Sequence, residues 1–487
     1  MTSSNYQSNS VDLDSTYIVG NDPNYQGIQA AVTNRKTVIF GQQLLTQTYP
    51  IGNINNAVNY AQTLPGIQTD QDSTTITGVT PTAVFYKSRS TGQSLIRASF
   101  GTSLENYPQS GYWQLNSYQP GISSPAQINI NGWTSVGSFY LGSNLGLQSN
   151  GTLWSWGNNN GQITGQLGNN STNTLVNPTQ LGSLSNWARI SCGYAFAGIQ
   201  SNGTLWIWGQ NLYGQLGLSD TTSRSSPVQV GALSVWSQIF CGYGSTYAIQ
   251  SNGTLWAWGQ GGQGELGNLS TTNISSPVQI GTVSIWAKVL GCAGSGEYTI
   301  GLQSNGTLWS WGYGNNYYTL GQGNLTSYST PVQIGSTSTW SNIATGSFFT
   351  LALQNNGTLW SWGANNAGQL GLNDQITRSV PTQVGALSLW TRIACGYSHT
   401  LAIQSNGTLW AWGQNNSGQL GLNTTTNYSS PVQVGALSIW TQVSSYSRYN
   451  SLGIQNNGTL WAWGNNSYSQ LGLVPYGITV TKITYGF

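Results

Sequence analysis

The eight residues Asn406-Gly-Thr-Leu-Trp-Ala-Trp-Gly413 decide the fold of this 487-residue chain. The pattern Asn-Gly-Thr-Leu-Trp-x-Trp-Gly occurs seven times, with its Asn at 150, 202, 252, 305, 356, 406 and 457. A period of 50 to 53 residues indicates a repeat architecture. A further Trp leads each unit, at 133, 187, 236, 286, 340, 390 and 440. Three Trp in each of seven units account for 21 of the 22 tryptophans, and Trp113 is left over.

Each unit has the pattern of four strands, which the sixth shows most clearly. Trp390–Cys395 is a short apolar stretch, and His399–Gln404 has the alternating pattern of a strand. Asn406-Gly407 then predicts a type I′ hairpin turn, because both central residues of that turn need a positive φ. Thr408–Gly413 is the return strand, and Ser430–Val434 is a fourth strand whose Pro suits a sheet edge. Four strands in every unit, with no helical periodicity, predict a propeller blade.

The Trp-rich strand also predicts how blades pack. Trp410 and Trp412 share one face of the strand, while Leu409, Ala411 and Gly413 share the other. The residue between the two Trp is Ser or Ala in six of the seven units. We expect the Trp face of one blade to pack on the small face of its neighbour.

The sequence predicts that the last strand of the seventh blade comes from the residues that precede the first repeat unit. A strand containing Pro occurs at 125, 178, 227, 277, 331, 381 and 431, so the first copy precedes the first leading Trp. No such strand follows the seventh Trp-rich strand. We therefore expect Pro125–Ile128 to complete the seventh blade, which removes an exposed sheet edge. The tail Tyr476–Ile483 alternates and predicts one extra strand.

Several motifs resemble the regulator of chromosome condensation family over residues 120–472. They are Gly396-Tyr-Ser-His399, Gly407-x-Leu-Trp-x-Trp412-Gly413, Gly418-Gln-Leu-Gly421 and Pro431-Val432. The resemblance implies an all-β fold, a seven-bladed β-propeller of that type. We expect it to span 111–487, closed by a strand near 125–128, with a smaller N-terminal attachment region at 1–110. Two departures are that the family's repeat His survives only at His399 and that the fourth unit has Tyr318-Thr-Leu-Gly321.

Low charge limits the functions that the ring can perform. Only 5% of the residues are charged, against about 25% in an ordinary soluble domain. The family's founding member exchanges nucleotide on a small GTPase and docks on chromatin through a basic tail. Residues 1–34 contain no Lys or Arg, and 133–487 contains four acids, so neither role is expected here. We expect no nucleic-acid partner, no membrane insertion and no signal peptide.

The residues offer little material for catalysis. His399 is the one histidine, and its repeat position predicts a structural hydrogen bond. The pairs Asp12/Asp14 and Asp70/Asp72 lie in polar stretches that favour loops or caps over metal binding. The arginines from 133 onward are scattered along the sequence. The four cysteines lie in four different repeat units without any CxxC pair, and they are expected to be small buried hydrophobes. No catalytic, cofactor-binding or metal residue is assigned, and the protein is not expected to be an enzyme.

Residues 1–110 differ from the ring, since they hold 11 of the 22 charges. Tyr17–Gly20, Thr37–Phe40 and Ala83–Tyr86 are predicted strands, while Gln26–Val32 and Ile54–Ala61 are predicted short helices.

The leading hypothesis is a structural or interaction protein of a bacteriophage virion, located in the tail, baseplate, fibre or capsid decoration. Its N-terminal region would anchor it to the particle and its propeller would be displayed. Its partners would be other virion proteins and copies of itself. One alternative is a carbohydrate-binding propeller that reads host surface glycans through loops such as Tyr313–Tyr318 and Gln414–Ser417. Another is an intracellular regulator that binds a protein partner.

Overall fold

The computed structural model describes residues 121–473, apart from 129, 140–141, 160–164, 293, 295 and 387–388, and the backbone of seven strands outside that range. Contacts divide the chain into two compact units, one of residues 121–474 and one of 1–120 with 475–487. The propeller unit thus begins at Gly121 rather than at 111, and it ends before the C-terminal residues.

Seven antiparallel four-stranded sheets form the propeller unit, which confirms the predicted all-β fold. The first strands are Trp133–Ser138, Trp187–Cys192, Trp236–Cys241, Trp286–Gly291, Trp340–Thr345, Trp390–Cys395 and Trp440–Ser444. The second strands are Ser143–Gln148, Ala195–Gln200, Ser245–Gln250, Tyr298–Gln303, Phe349–Gln354, His399–Gln404 and Asn450–Gln455. The third strands are Leu153–Gly157, Leu205–Gly209, Leu255–Gly259, Leu308–Gly312, Leu359–Gly363, Leu409–Gly413 and Leu460–Asn465. The fourth strands are Leu175–Gln180, Arg224–Gln229, Ile274–Gln279, Tyr328–Gln333, Arg378–Gln383, Tyr428–Gln433 and, in the seventh sheet, Gly121–Ile128.

The ring is closed by the strand that the sequence places at its start. Gly121–Ile128 pairs antiparallel with Leu460–Asn465, so that Ala126 faces Ala462 and Ile128 faces Leu460. First strands of successive blades contact one another all round the ring, from blade 7 back to blade 1. The first strands therefore surround the central channel, and the predicted closure of the seventh blade is confirmed.

The Asn-Gly turns differ from the predicted type. In blade 2, Gly203 has a φ of 81°, but Asn202 does not have a positive φ, so the turn is not type I′. The Gly203 amide donates to the Gln200 carbonyl at 2.9 Å, which fits a three-residue loop that ends in a glycine bulge. The Asn202 side chain instead accepts from the Thr204 amide at 3.1 Å, and that local bond removes the need for a left-handed Asn. Gly is required at 203, because a Cβ would lie 2.4 Å from the Ser234 carbonyl oxygen.

Tryptophans join each blade to the one before it, as predicted. Trp258 of blade 3 is fully buried against Ala197 and Ile207 of blade 2. Its indole Nε1 donates to the Gln215 carbonyl at 2.9 Å. The same bond to the preceding blade recurs at Trp156, Trp208, Trp311, Trp362, Trp412 and Trp463. The core of the ring is thus a set of repeated interfaces between blades.

The second compact unit contains two small sheets. Ile28–Thr33 pairs with Lys36–Gly41, and a five-stranded sheet joins Thr74–Thr77, Thr82–Lys87, Ser94–Ser99, Tyr112–Leu115 and Thr481–Ile483. The predicted strands at 37–40 and 83–86 and the extra strand in the tail are confirmed. The helix predicted at Gln26–Val32 is wrong, because antiparallel pairing of Ile28–Thr33 with Lys36–Gly41 overrides the weak helical pattern. The predictions for 17–20 and 54–61 and the pairs Asp12/Asp14 and Asp70/Asp72 lie outside the described residues.

Candidate functional site

The third residue of each first strand faces the central channel. It lies two positions after the leading Trp, and the next residue, which is Val or Ile in every blade, packs between blades. The seven channel positions are polar or charged: Ser135, Arg189, Gln238, Lys288, Asn342, Arg392 and Gln442. Alternation along the strand thus gives the ring an apolar interior and a polar channel wall.

Three of these side chains bind the backbone of the next blade. Gln238 donates to the Ala287 carbonyl at 2.5 Å, and Gln442 donates to the Thr134 carbonyl. The Lys288 ammonium donates to the Ile343 carbonyl and to Asn342 Oδ1, both at 2.8 Å. These bonds fix Gln238, Gln442 and the Lys288 ammonium at the channel wall.

Two arginines line one cavity in the channel. Arg189 of blade 2 and Arg392 of blade 6 are both exposed and border a space of about 450 Å³, together with Gln442 of blade 7. Lys288 of blade 4 faces the same channel, and loss of hydration together with the charge of Arg392 lowers the pKa of Lys288 to about 8. We call this cavity and its two arginines the central cup; Lys288 itself lines a neighbouring space between blades 3 and 4. Arginines that look scattered along the sequence are therefore brought together by the ring.

The described acids lie elsewhere. Asp220 forms an ion pair with Arg224 at 2.6 Å, and Asp374 forms the equivalent pair with Arg378 at 2.5 Å. Glu265 is buried in a loop of blade 3, and Glu297 accepts from Gln260 at 2.8 Å. Within 121–473, these four are the only acidic residues, and none forms an ion pair with a cation of the cup. The cup is therefore a concentration of positive charge without a described counter-charge.

One end of the channel is closed by Tyr446. This residue follows the first strand of blade 7, yet its hydroxyl donates to the Cys292 carbonyl of blade 4. Its ring packs edge-on against Phe240 of blade 3, with centroids 5.5 Å apart. Blades 3 and 4 lie opposite blade 7 in a seven-membered ring, so the side chain crosses the axis. The cup is consequently blind at this end and opens at the other.

The open end belongs to the face that carries the links between blades. We call it the linker face; it also carries the Asn-Gly turns, because the leading Trp of each first strand begins there. The opposite face, which carries the loops between third and fourth strands, is the loop face. Apolar side chains of the linkers are between 37% and 51% exposed: Leu184, Leu233, Val235, Val283, Ile285, Leu389 and Leu437. Apolar side chains are also exposed on the loop face, as at Leu269, but at positions that vary between blades.

His399 has the structural role that its repeat position predicts. It lies opposite Gly413 in the register that Tyr298 and Phe349 occupy in blades 4 and 5. Its Nε2 is 3.0 Å from Ser451 Oγ, and the ring is completely buried. Burial lowers the pKa of the His399 imidazole to about 3, so it is neutral at ordinary pH.

Glu265 occupies a position where five of the other six blades have glutamine. Its Oε2 accepts from the Gln263 amide at 2.8 Å, just as Gln215 Oε1 accepts from the Tyr213 amide. Its second oxygen is buried without a hydrogen-bond partner among the described residues. Burial, with a smaller contribution from Glu297, raises the pKa of the Glu265 carboxyl to about 7.

We expect Glu265→Gln to stabilise the protein above neutral pH. The pKa is raised on folding from 4.5 to about 7, so the stability it contributes is present below pH 4.5 and is lost as pH rises through 7. The variant should therefore exceed the parent in free energy of unfolding by about 3 kcal/mol at pH 8. Its advantage should shrink steadily as pH falls towards 4.5. Denaturant unfolding at pH 4.5, 6 and 8 measures this, and an advantage that does not change with pH would contradict it.

His399→Gln should remove a loss of unfolding free energy that the parent shows as the pH falls below 6.5. The pKa is lowered on folding from 6.5 to about 3, so the neutral ring supports folding above pH 6.5 and its contribution is lost as pH falls. Going from pH 7 to 4.5 should cost the parent about 3 kcal/mol through this group. Between pH 4.5 and 6.5 Glu265 opposes it, so the test is best made in the Glu265→Gln background. If adding His399→Gln to the Glu265→Gln variant leaves the pH dependence of the free energy of unfolding unchanged, the histidine is excluded as its cause.

The cysteines are free and buried at Cys192, Cys241, Cys292 and Cys395, as predicted. Burial raises the pKa of the Cys241 thiol to about 12, which makes it a poor nucleophile. No group of three His, Cys, Asp or Glu in the described part of the chain could hold a metal ion. The described residues also include no helix long and apolar enough to cross a membrane.

The loops considered for sugar binding are largely engaged within the fold. Asn415 is completely buried, where it donates to the Thr424 carbonyl at 2.9 Å and accepts from the Leu420 amide. Tyr317 packs on Phe348 with ring centroids 5.1 Å apart. Tyr313 is 39% exposed, which leaves one markedly exposed ring in its loop.

Comparison with protein families identifies the class. The profile of the Regulator of chromosome condensation (RCC1) repeat matches residues 150–199, 202–249, 252–302, 305–353, 356–403 and 406–447. A second profile of the same repeat matches 340–369, 390–419 and 440–470. These matches cover more than half of the chain, so the protein belongs to the regulator of chromosome condensation repeat family. Among curated protein sequences, none matches the chain significantly.

Solved structures show the same fold at low sequence identity. Human WBSCR16 is 19% identical with a TM-score of 0.58, and the match covers 71% of this chain and 90% of that one. Yeast RCC1 (Prp20), solved bound to Kap60, is 18% identical with a TM-score of 0.55, covering 70% and 82%. At such identity the likeness establishes the propeller alone.

Proposed function

We propose that this protein is a non-enzymatic interaction protein that binds other proteins through the linker face of its propeller. The observation that carries the proposal is the recurrence of half-exposed apolar side chains in the links between blades. Leu233 is 51% exposed, and Val283, at the same position one blade later, is 44% exposed. On this proposal the side chains act together as an apolar surface, which is typical of protein contact sites. A structure of Prp20p from Saccharomyces cerevisiae is described with its binding to Gsp1p and histones, which is consistent with partner binding by this fold.

The location we propose is a bacteriophage particle, with residues 1–110 anchoring the protein and the propeller displayed for protein or host-surface contacts. Composition supports this location: 5% charged residues and an abundance of Asn, Ser, Thr, Gln and Gly are features shared with extracellular fibres. The concentration of charge in residues 1–110 supports a separate anchoring role for them. Mass spectrometry of purified particles should detect the protein at a fixed ratio to the major structural proteins. Its absence from all particles would exclude this location.

The double variant Leu233→Asp/Val283→Asp should weaken partner binding at least tenfold. Buried carboxylates in an apolar contact lose hydration without gaining a partner, which costs several kcal/mol. Folding should be unaffected because both side chains are half exposed. Rebinding of purified variant to particles that lack the protein measures the effect. Leu269→Asp is the matched control, since Leu269 is 81% exposed on the loop face. Equal binding by parent and double variant would rule out the linker face.

A further inference from the structure

We propose that the central cup binds clustered carboxylates on an acidic segment of a protein partner. This inference rests on the proposed interaction function and names the chemistry of the partner. The cup takes its cations from blades 2 and 6, so Arg189 and Arg392 border one cavity from different sides, and Lys288 of blade 4 lies near enough to Arg392 for their charges to interact. Such an arrangement presents positive charge to one small volume instead of spreading it over a surface.

Lys288 is held in place at the channel wall before any ligand arrives. Lys288 uses two of its three ammonium hydrogens on Asn342 and Ile343. Arg189 and Arg392 form no ion pair with a described acid, whereas Arg224 and Arg378 each do. The groups that face Lys288 are Asn342, Arg392 and the buried thiol of Cys395, none of them anionic at neutral pH. An incoming carboxylate would therefore relieve repulsion within the cup.

The dimensions of the cup suit a side chain that enters from one direction. Its volume of about 450 Å³ lies within the range of ligand sites. Tyr446 closes the far end by reaching Cys292 across the axis. A ligand must consequently enter from the linker face and end against the channel wall.

The linker face, onto which the cup opens, favours a protein segment over a free anion. Leu184 precedes Arg189 by five residues, and it is 48% exposed on the linker face. Leu389 precedes Arg392 by three residues and is 46% exposed. A segment that carries both acidic and apolar residues would fill the cup and cover these side chains at once. Inorganic phosphate or polyphosphate would bind the cations but leave the apolar side chains of the linker face exposed.

The test is a binding titration with the full chain. The probe is a fluorescent peptide of sequence Leu-Glu-Glu-Leu-Glu-Glu-Leu, and its counterpart with Lys in place of Glu is the charge control. We expect saturable one-to-one binding of the acidic peptide, weakened at least tenfold in Arg189→Gln/Arg392→Gln. The matched control is Arg224→Gln/Arg378→Gln, which removes the same charge from arginines already paired with Asp220 and Asp374. It should change the affinity less than twofold. Thermal unfolding of both variants shows whether each has folded.

Other outcomes overturn the proposal. Equal affinity for parent and Arg189→Gln/Arg392→Gln would place the peptide elsewhere. Binding of tripolyphosphate that depends on both arginines, without binding of the acidic peptide, would identify a site for free phosphate and not for a protein segment. These results are separable from a failure of the proposed function. If Leu233→Asp/Val283→Asp loses partner binding but the acidic peptide does not bind the parent, the linker face is retained as a contact site and the cup is rejected. Absence of the protein from particles would reject the proposed location alone.

Discussion

A chain that begins at Gly121 should form the closed propeller, whereas one that begins at Ile130 should not. The longer version, 121–474, keeps the strand that pairs with Leu460–Asn465. The shorter version, 130–474, loses Ile128, which is 2% exposed, and Ile122, which packs against two core clusters. One buried isoleucine, one half-buried isoleucine and a strand ladder should together contribute about 5 kcal/mol or more. The exposed edge of blade 7 should also promote self-association.

Circular dichroism melting and sedimentation velocity distinguish the two versions. We expect a cooperative transition and a monomer for 121–474, and a much lower melting temperature with aggregates for 130–474. Equal melting temperatures would mean that a ring whose seventh blade has only three strands is stable by itself. That result would contradict the closing role assigned to Gly121–Ile128.

Trp258→Ala should destabilise the protein by about 4 kcal/mol, the range seen when large core residues are truncated. The indole is fully buried and donates at 2.9 Å to the Gln215 carbonyl of the preceding blade, so truncation leaves a cavity and removes a hydrogen bond between blades. Trp256→Ala is the matched control, because Trp256 lies two residues earlier on the same strand but is only half-buried. Its indole donates to Thr254 Oγ1 at 3.1 Å, within its own blade. We expect about 1 kcal/mol for this control.

Denaturant unfolding of the parent and the two variants, analysed with common baselines, gives the loss of unfolding free energy for each variant. Equal losses for the two variants would show that burial between blades is not what stabilises the ring. A loss at Trp258 that exceeds the loss at Trp256 several-fold would support the interface as the main source of stability.

Local patterns predicted the blades well because each blade is built from neighbouring residues. The Asn-Gly-Thr-Leu-Trp stretch forms a hairpin whose side chains bond within five residues, as Asn202 does with Thr204. The turn type was wrong because the same dipeptide serves two turn geometries, and the Asn side chain decides between them. At Gln26–Val32 a weak apolar pattern suggested a helix, but pairing with Lys36–Gly41 set the backbone.

Contacts that cross the ring could not be read from local patterns. Tyr446 meets Cys292 across 154 positions of sequence, and nothing in the residues around either one indicates the contact. That Arg189 and Arg392 line one cavity could not be predicted from local patterns either, although each lies two residues after a leading Trp. That shared position was the available signal. It becomes informative only when the first strands are known to line the channel.

The sequence by itself determined the number of blades, the packing of Trp on small residues and the strand that closes the ring. Each of these follows from a repeated pattern or from counting its copies, and burial of apolar surface leaves little choice of arrangement. Only the tertiary structure decided that the ring has a blind, positively charged cup beneath an apolar linker face. The reason is geometric: Arg189, Lys288 and Arg392 come from alternate blades, and only closure of the ring brings these distant charges to a common axis.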